Sequence, residues 1–207
     1  MKQSRIPVIG ITGGAGSGKS HIAGLLGSIC KVCHINTDRI SQAQMMKGGC
    51  VYTKVLEYFG SDFLGTDGEI DRKKLGEYIF QRPKELSVLN SITHPPVREE
   101  VERIMKTAGE NGYDVVLLET AILIESGYKS YCDEIWYVYA GRKTRSERLQ
   151  KTRGYSEERV RDMFRRQKTD RFFREHADYV IVNDKRDDES IIRSLKRRLG
   201  KIKKSLL

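Results

Sequence analysis

The stretch Gly13-Gly14-Ala15-Gly16-Ser17-Gly18-Lys19-Ser20 constrains this chain more than any other. Glycines at this density suit a backbone that needs left-handed or crowded conformations. An apolar run at 8–11 leads into the stretch, and Ile22, Leu25, Leu26 and Ile29 leave it at helical spacing. GxxxxGK[ST] between a strand and a helix is the setting of a phosphate-binding P-loop. Its backbone N–H groups and the helix N-terminus converge on phosphate oxygens. Lys19 then reaches the β- and γ-phosphates of a nucleotide, and the Ser20 hydroxyl ligates Mg²⁺. A Gly-rich turn without a ligand is the alternative.

Further apolar runs lie at 32–35, 115–118, 135–139 and 179–182, most of them short and continuous, as in parallel strands buried on both faces. Helical patterns lie between them, including Val97, Val101, Ile104 and Met105 on one face. The alternation predicts an α/β fold, a five-stranded, mostly parallel sheet flanked by helices. Two stretches read as insertions: 53–111, mostly helical, and 141–176, polar and Arg-rich. Residues 1–52, 112–140 and 177–207 are left as the nucleotide-binding core. The longest apolar runs fall far short of the ~20 residues of a membrane helix, and the N-terminal run is too short for a signal peptide. No membrane partner is expected. Cys30 and Cys33 form a CxxC without a second close pair, so they read as buried apolar residues in a reducing cytoplasm.

Residues 140–207 hold 22 basic and 11 acidic residues, whereas 1–139 are nearly balanced at 16 and 17. No helix-turn-helix, RNP-like or zinc-finger pattern accompanies that charge, so no nucleic-acid partner is expected. Ile191, Ile192, Leu195, Leu199 and Ile202 recur at helical spacing near the C-terminus. The Lys and Arg around them then form the solvated face of a docked helix.

A P-loop leaves open what receives the phosphoryl group. A GTPase should carry NKxD after a late strand, but here that strand runs into Asn183-Asp184-Lys185-Arg186. A motor usually needs a longer core. A small-molecule kinase needs a carboxylate beside the loop and mobile arginines that close on the phosphates. Asp38, after the second strand, and the arginines of 142–174 supply both. A helix N-cap is the competing role for Asp38.

The chain resembles the dephospho-coenzyme A kinase family over nearly its whole length. The matching pieces are IGITGGAGSGKS (9–20), INTD (35–38), FG (59–60), DGEIDRKKL (67–75), IF (79–80) with Pro83, LNSITHP (89–95), ETAILIESG (119–127), the lid start Glu147-Arg148-Leu149, Gln167 and ADYVIVN (177–183). The resemblance implies phosphoryl transfer from ATP to the ribose 3′-hydroxyl of dephospho-coenzyme A, the final step of coenzyme A synthesis. By the same resemblance Asp38 is the general base and Glu119 positions Mg²⁺ through water. Asn183 lies near the adenine of ATP. Residues 53–111 are the acceptor domain, with Asn90, His94 and Pro95, and Leu123 and Glu125 belong to an acceptor-side loop. Residues 141–176 form the lid. The working form is expected to be a monomer or weak homo-oligomer.

The chain departs from the family pattern at His21, Gln42, Gly76 and Ala121, and its expected lid arginine aligns with Thr152. Arg153, next to the helix-ending Gly154, is the expected replacement, with Arg148 as a second clamp. Two other readings stay open: a kinase for another hydroxyl, such as a nucleoside or nucleoside monophosphate, and a nucleotide-binding regulatory or RNA-associated protein.

Overall fold

The computed structural model describes residues 6–80, 82–184 and 187–206, so Lys185 and Arg186 lie outside the described residues. Contacts divide the chain into two compact units, 1–35 with 107–207, and 36–106. The strands are β1 (Val8–Thr12), β2 (Val32–Asn36), β3 (Val115–Glu119), β4 (Glu134–Tyr139) and β5 (Tyr179–Val182). The helices are α1 (Lys19–Gly27), α2 (Thr37–Gln44), α3 (Tyr52–Phe59), α4 (Arg72–Phe80), α5 (Pro83–Ala108), α6 (Arg142–Arg153), α7 (Glu157–Arg166), α8 (Asp170–His176) and α9 (Asp188–Ser205).

In the first unit the sheet runs β2-β3-β1-β4-β5. β1 pairs parallel with β3 and β4, and β4 pairs parallel with β5. Every residue of β1 and β3 is buried, which is why these strands are continuously apolar up to their last residues, Thr12 and Glu119, instead of alternating. One face is covered by α1 and α9. Ile22 and Leu26 of the first and Ile191, Leu195, Leu199 and Ile202 of the second join Ile9, Ile11, Trp136 and Val138 in one cluster. Arg193, Lys196, Arg197, Lys201 and Lys204 of α9 are thereby left exposed, while Arg198 turns to pair with Glu134 of β4 at 2.8 Å. Asp187 caps that helix by accepting from Ser190 N at 2.7 Å, and Lys203 and Lys204 complement the dipole of its last turn.

The other face depends on Gly10. A Cβ there would come within 2.6 Å of Leu123 Cδ1 and 2.7 Å of Cys132 Sγ. Leu123, expected in an acceptor-side loop, is fully buried against this glycine and is a core residue. Burial likewise raises the thiol pKa of Cys33, and that of Cys30 with help from Asp114, so neither CxxC sulfur is poised as a thiolate.

In the second unit Met45, Val51, Val55, Phe63, Ile70 and Leu75 form a separate core. Met45 and Val51 precede residue 53, so the loop after α2 packs with the inserted helices, and the contact boundary falls at residue 36. α5 continues through Pro95 and Pro96. Prolines lack the N–H that would bond one turn back. The carbonyl of Pro96 is tied to α2, accepting from Gln44 Nε2 at 3.0 Å.

Gly10→Ala is expected to overpack Leu123 and Cys132 and to lower stability by about 1–3 kcal/mol. Urea unfolding reads this as a lower midpoint at constant slope. An unchanged midpoint would show that Leu123 is not wedged against β1.

Candidate active site

A phosphate-binding loop must leave N–H groups for its ligand, so its carbonyls need partners from elsewhere. In this chain every carbonyl from Gly13 to Gly18 has one. Gly13 O accepts from Lys19 Nζ at 2.9 Å, and Gly14 O from Ser17 N at 3.1 Å. Ala15 O accepts from Arg145 Nε at 2.8 Å, and Gly16 O from Arg148 Nη1 at 3.4 Å. Ser17 O accepts from Asn183 Nδ2 at 2.7 Å, and Gly18 O from Ile22 N at 3.0 Å. The N–H groups of Gly14, Gly16 and Gly18 donate to nothing among the described residues. The loop is therefore braced on its acceptor side and open on its donor side. That asymmetry fits an anion.

Gly18 opens α1 with φ +92, and a Cβ there would stand 2.2 Å from Asn183 Nδ2. Glycine is needed for both the left-handed backbone and the close approach. Asn183 is buried, so its side chain braces the loop from behind. Its backbone carbonyl accepts from Arg148 Nη2 at 3.0 Å. The next residue, Asp184, holds the start of α6 through Gly141 N at 3.1 Å and Thr144 Oγ1 at 2.6 Å.

Ser20, the second residue of α1, donates its hydroxyl to Glu119 Oε1 at 2.9 Å. Glu119 ends β3 and is buried. Its second oxygen, Oε2, lies 2.8 Å from His34 Nε2 on β2. Burial pushes the Glu119 carboxyl up, but the hydrogen bonds from His34 and Ser20, with the Lys19 charge, outweigh it. The carboxyl sits below its ordinary range and is ionised at neutral pH.

Two arginines of α6 reach the loop. Arg145 lies with its guanidinium 4.5 Å from the ring centre of Phe164 and also bonds Gln167, whose Oε1 accepts from Ala15 N at 3.3 Å. Arg148 bridges the loop to Asn183, four residues before Thr152. The Thr152 hydroxyl turns back onto Arg148 O at 2.6 Å. Arg153, expected to replace the displaced lid arginine, is exposed at the end of α6 and makes no hydrogen bond to the loop among the described residues. Its neighbour Gly154 does end the helix in a left-handed conformation, φ +62. The register of α6 sends Arg145 and Arg148 inward, three residues apart and on one side of the helix.

In the second unit Asp38 lies in the first turn of α2. Asn36 caps this helix, its Oδ1 accepting from Arg39 N at 3.0 Å. The capping role is therefore filled, and the Asp38 carboxylate is exposed. Asn90, His94 and Pro95 all lie on α5, Asn90 and His94 one turn apart on one face. Burial and the Arg98 charge hold His94 below the ordinary imidazole value, so it is neutral at pH 7. Glu125 is exposed beyond β3. The loop, Ser20, Glu119, Arg148 and Asn183 thus come together. Sequence reasoning missed His34 and Arg145: each has an unremarkable neighbourhood, and the partner lies far along the chain.

Asn183→Ala is expected to leave Ser17 O with only the longer bond from Arg148 Nη1 at 3.3 Å, costing about 1 kcal/mol and weakening ATP binding with it. Thermal melting together with nucleotide titration checks both. Normal ATP affinity in a normally folded variant would detach Asn183 from the loop.

The family model for dephospho-CoA kinase (CoaE) matches residues 7–189. A dephospho-CoA kinase of Carboxydothermus hydrogenoformans is 37% identical over 178 residues, covering 86% of each chain. A crystal structure of a Thermus thermophilus protein superposes with a TM-score of 0.80 at 28% identity, covering 95% of this chain and 98% of that one. The dephospho-CoA kinase of Campylobacter jejuni shares the fold, with a TM-score of 0.68 at 20% identity over 97% of this chain and 98% of that chain. The matched span takes in the braced loop, Glu119, Asp38 and the α5 residues, and the chain belongs to the dephospho-CoA kinase family.

Proposed function

We propose that Asp38 and the braced loop carry out the family's reaction here: the γ-phosphoryl group of ATP passes to the ribose 3′-hydroxyl of dephospho-coenzyme A, giving coenzyme A and ADP. The observation that carries this reading is the loop itself, with its carbonyls from Gly13 to Gly18 all engaged and three glycine N–H groups left for phosphate. Lys19 releases Gly13 O to meet the β- and γ-phosphates. Asp38, relieved of capping by Asn36, takes the proton of the acceptor hydroxyl. Asn90, His94 and Pro95 on α5 and Glu125 beyond β3 contact the acceptor. Asn183 supports the nucleotide site through the loop.

The donors at Ser20 and Glu119 suit Mg²⁺. A hydroxyl and an ionised carboxylate 2.9 Å apart are hard oxygens, and Mg²⁺ is usually bound by one or two protein groups with substrate phosphates and water. Ser20 would hold the ion directly and Glu119 through water. When bound, it neutralises charge on the transferring phosphates.

Residues 141–176 act as the lid. A guanidinium brought onto the transferring phosphoryl stabilises its spreading negative charge. Arg148 and Arg145, already against the loop, are better placed for this than the exposed Arg153. The enzyme works in the cytoplasm as a monomer or weak homo-oligomer. No helix among the described residues is long and apolar enough to cross a membrane.

Asp38→Asn is expected to keep ATP binding while turnover falls at least ~10²-fold, the typical contribution of a positioned general base. Lys19→Ala should instead damage binding and turnover together. Steady-state kinetics beside nucleotide titration separates the two, and near-normal turnover in the Asp38 variant would remove its role as base.

A further inference from the structure

His34 has no part in the reaction described so far, yet it faces the most buried charge of the site. On β2, Cys33 and Ile35 are buried and His34 between them is not, so the period-two alternation turns His34 to the opposite face of the strand. There its Nε2 lies 2.8 Å from Glu119 Oε2. An ionised carboxylate only accepts, so the nitrogen facing it carries the proton and His34 donates.

The other oxygen of Glu119 receives the Ser20 hydroxyl. A hydroxyl has one hydrogen and two lone pairs. With the hydrogen committed to Glu119, both lone pairs of Ser20 Oγ are left for a cation. This orientation lasts only while the carboxylate keeps its rotamer. Glu119 sits at the very end of its strand, where the backbone alone does not fix a flexible side chain. His34 supplies the second anchor, on the oxygen that Ser20 does not use.

We infer that His34 is a positioning residue: by donating to Glu119 Oε2 it locks the carboxylate so that Ser20 presents its lone pairs to the Mg²⁺ of the nucleotide complex. The inference rests on the cation reading of Ser20 and Glu119 given above. Groups that orient metal-site ligands from behind typically change metal affinity or activity by about 10–100-fold.

The test measures ATP binding to the full chain by calorimetry, with Mg²⁺ and with EDTA, in wild type, His34→Leu, His34→Gln and Glu119→Gln. His34→Leu is expected to lose about tenfold of the Mg²⁺-dependent tightening while affinity in EDTA stays unchanged. His34→Gln, whose amide N–H can reach Glu119, is expected to keep most of it. If His34→Leu keeps the full tightening while Glu119→Gln loses it, the positioning role of His34 is wrong and the cation reading stands. If Glu119→Gln keeps it too, both fall. A lower melting temperature in His34→Leu with unchanged Mg²⁺ dependence would make the histidine merely structural and also overturn the inference.

Discussion

A loop that offers its N–H groups to phosphate must have its carbonyls held by the rest of the protein, and much of the first unit is arranged to meet that demand. The partners of the six carbonyls come from Ser17 of the loop itself, from α1, from α6 and from the end of β5. Strand order explains how they can converge. β1 is central, β4 and β5 lie beside it on one side and β3 on the other, so the segments leaving their C-terminal ends flank the loop, where open α/β sheets place their ligands. Each buried brace is worth only about 1 kcal/mol net. Losing one leaves a buried carbonyl unsatisfied, so the loss exceeds the gain.

The excess positive charge of the C-terminal third divides along the same lines. Arg145 and Arg148 sit against the loop with their donors engaged. Most basic residues of α9 are the wet side of a helix whose apolar stripe is buried, while Arg198 pairs with Glu134 of β4 and Lys203 with Asp114. Exposed pairs such as Arg161–Glu157 and Arg193–Glu189 lie one helical turn apart, an arrangement worth only a few tenths of a kcal/mol. Charge density by itself therefore says little here; orientation toward the loop decides which arginines matter.

The sheet, the P-loop and the packed faces of α1 and α9 were legible because each is a local pattern: short apolar runs, a glycine spacing, a helical stripe. Asp38 was legible by position but ambiguous in role, since Asn36 and Asp38 are both capping types and only the backbone decides between them. ETAILIESG reads as a site loop, yet Leu123 within it is buried, and its packing depends on the missing side chain at Gly10, more than a hundred residues away. His34 and Arg145 were invisible for the same reason. A histidine on an alternating strand and an arginine in a basic helix have ordinary surface readings until their distant partners, Glu119 and Ala15, are known. The displaced lid arginine drew attention to Arg153 by adjacency, whereas helix register, not adjacency, turns side chains toward the loop.

The most direct measurement incubates the protein with ATP and Mg²⁺ beside dephospho-coenzyme A, a nucleoside and a nucleoside monophosphate in parallel, following ADP and the site of phosphorylation by mass spectrometry and phosphorus NMR. The account predicts rapid ADP release with dephospho-coenzyme A alone, and a new monoester at the ribose 3′ position. Turnover with another acceptor and none with dephospho-coenzyme A would contradict it.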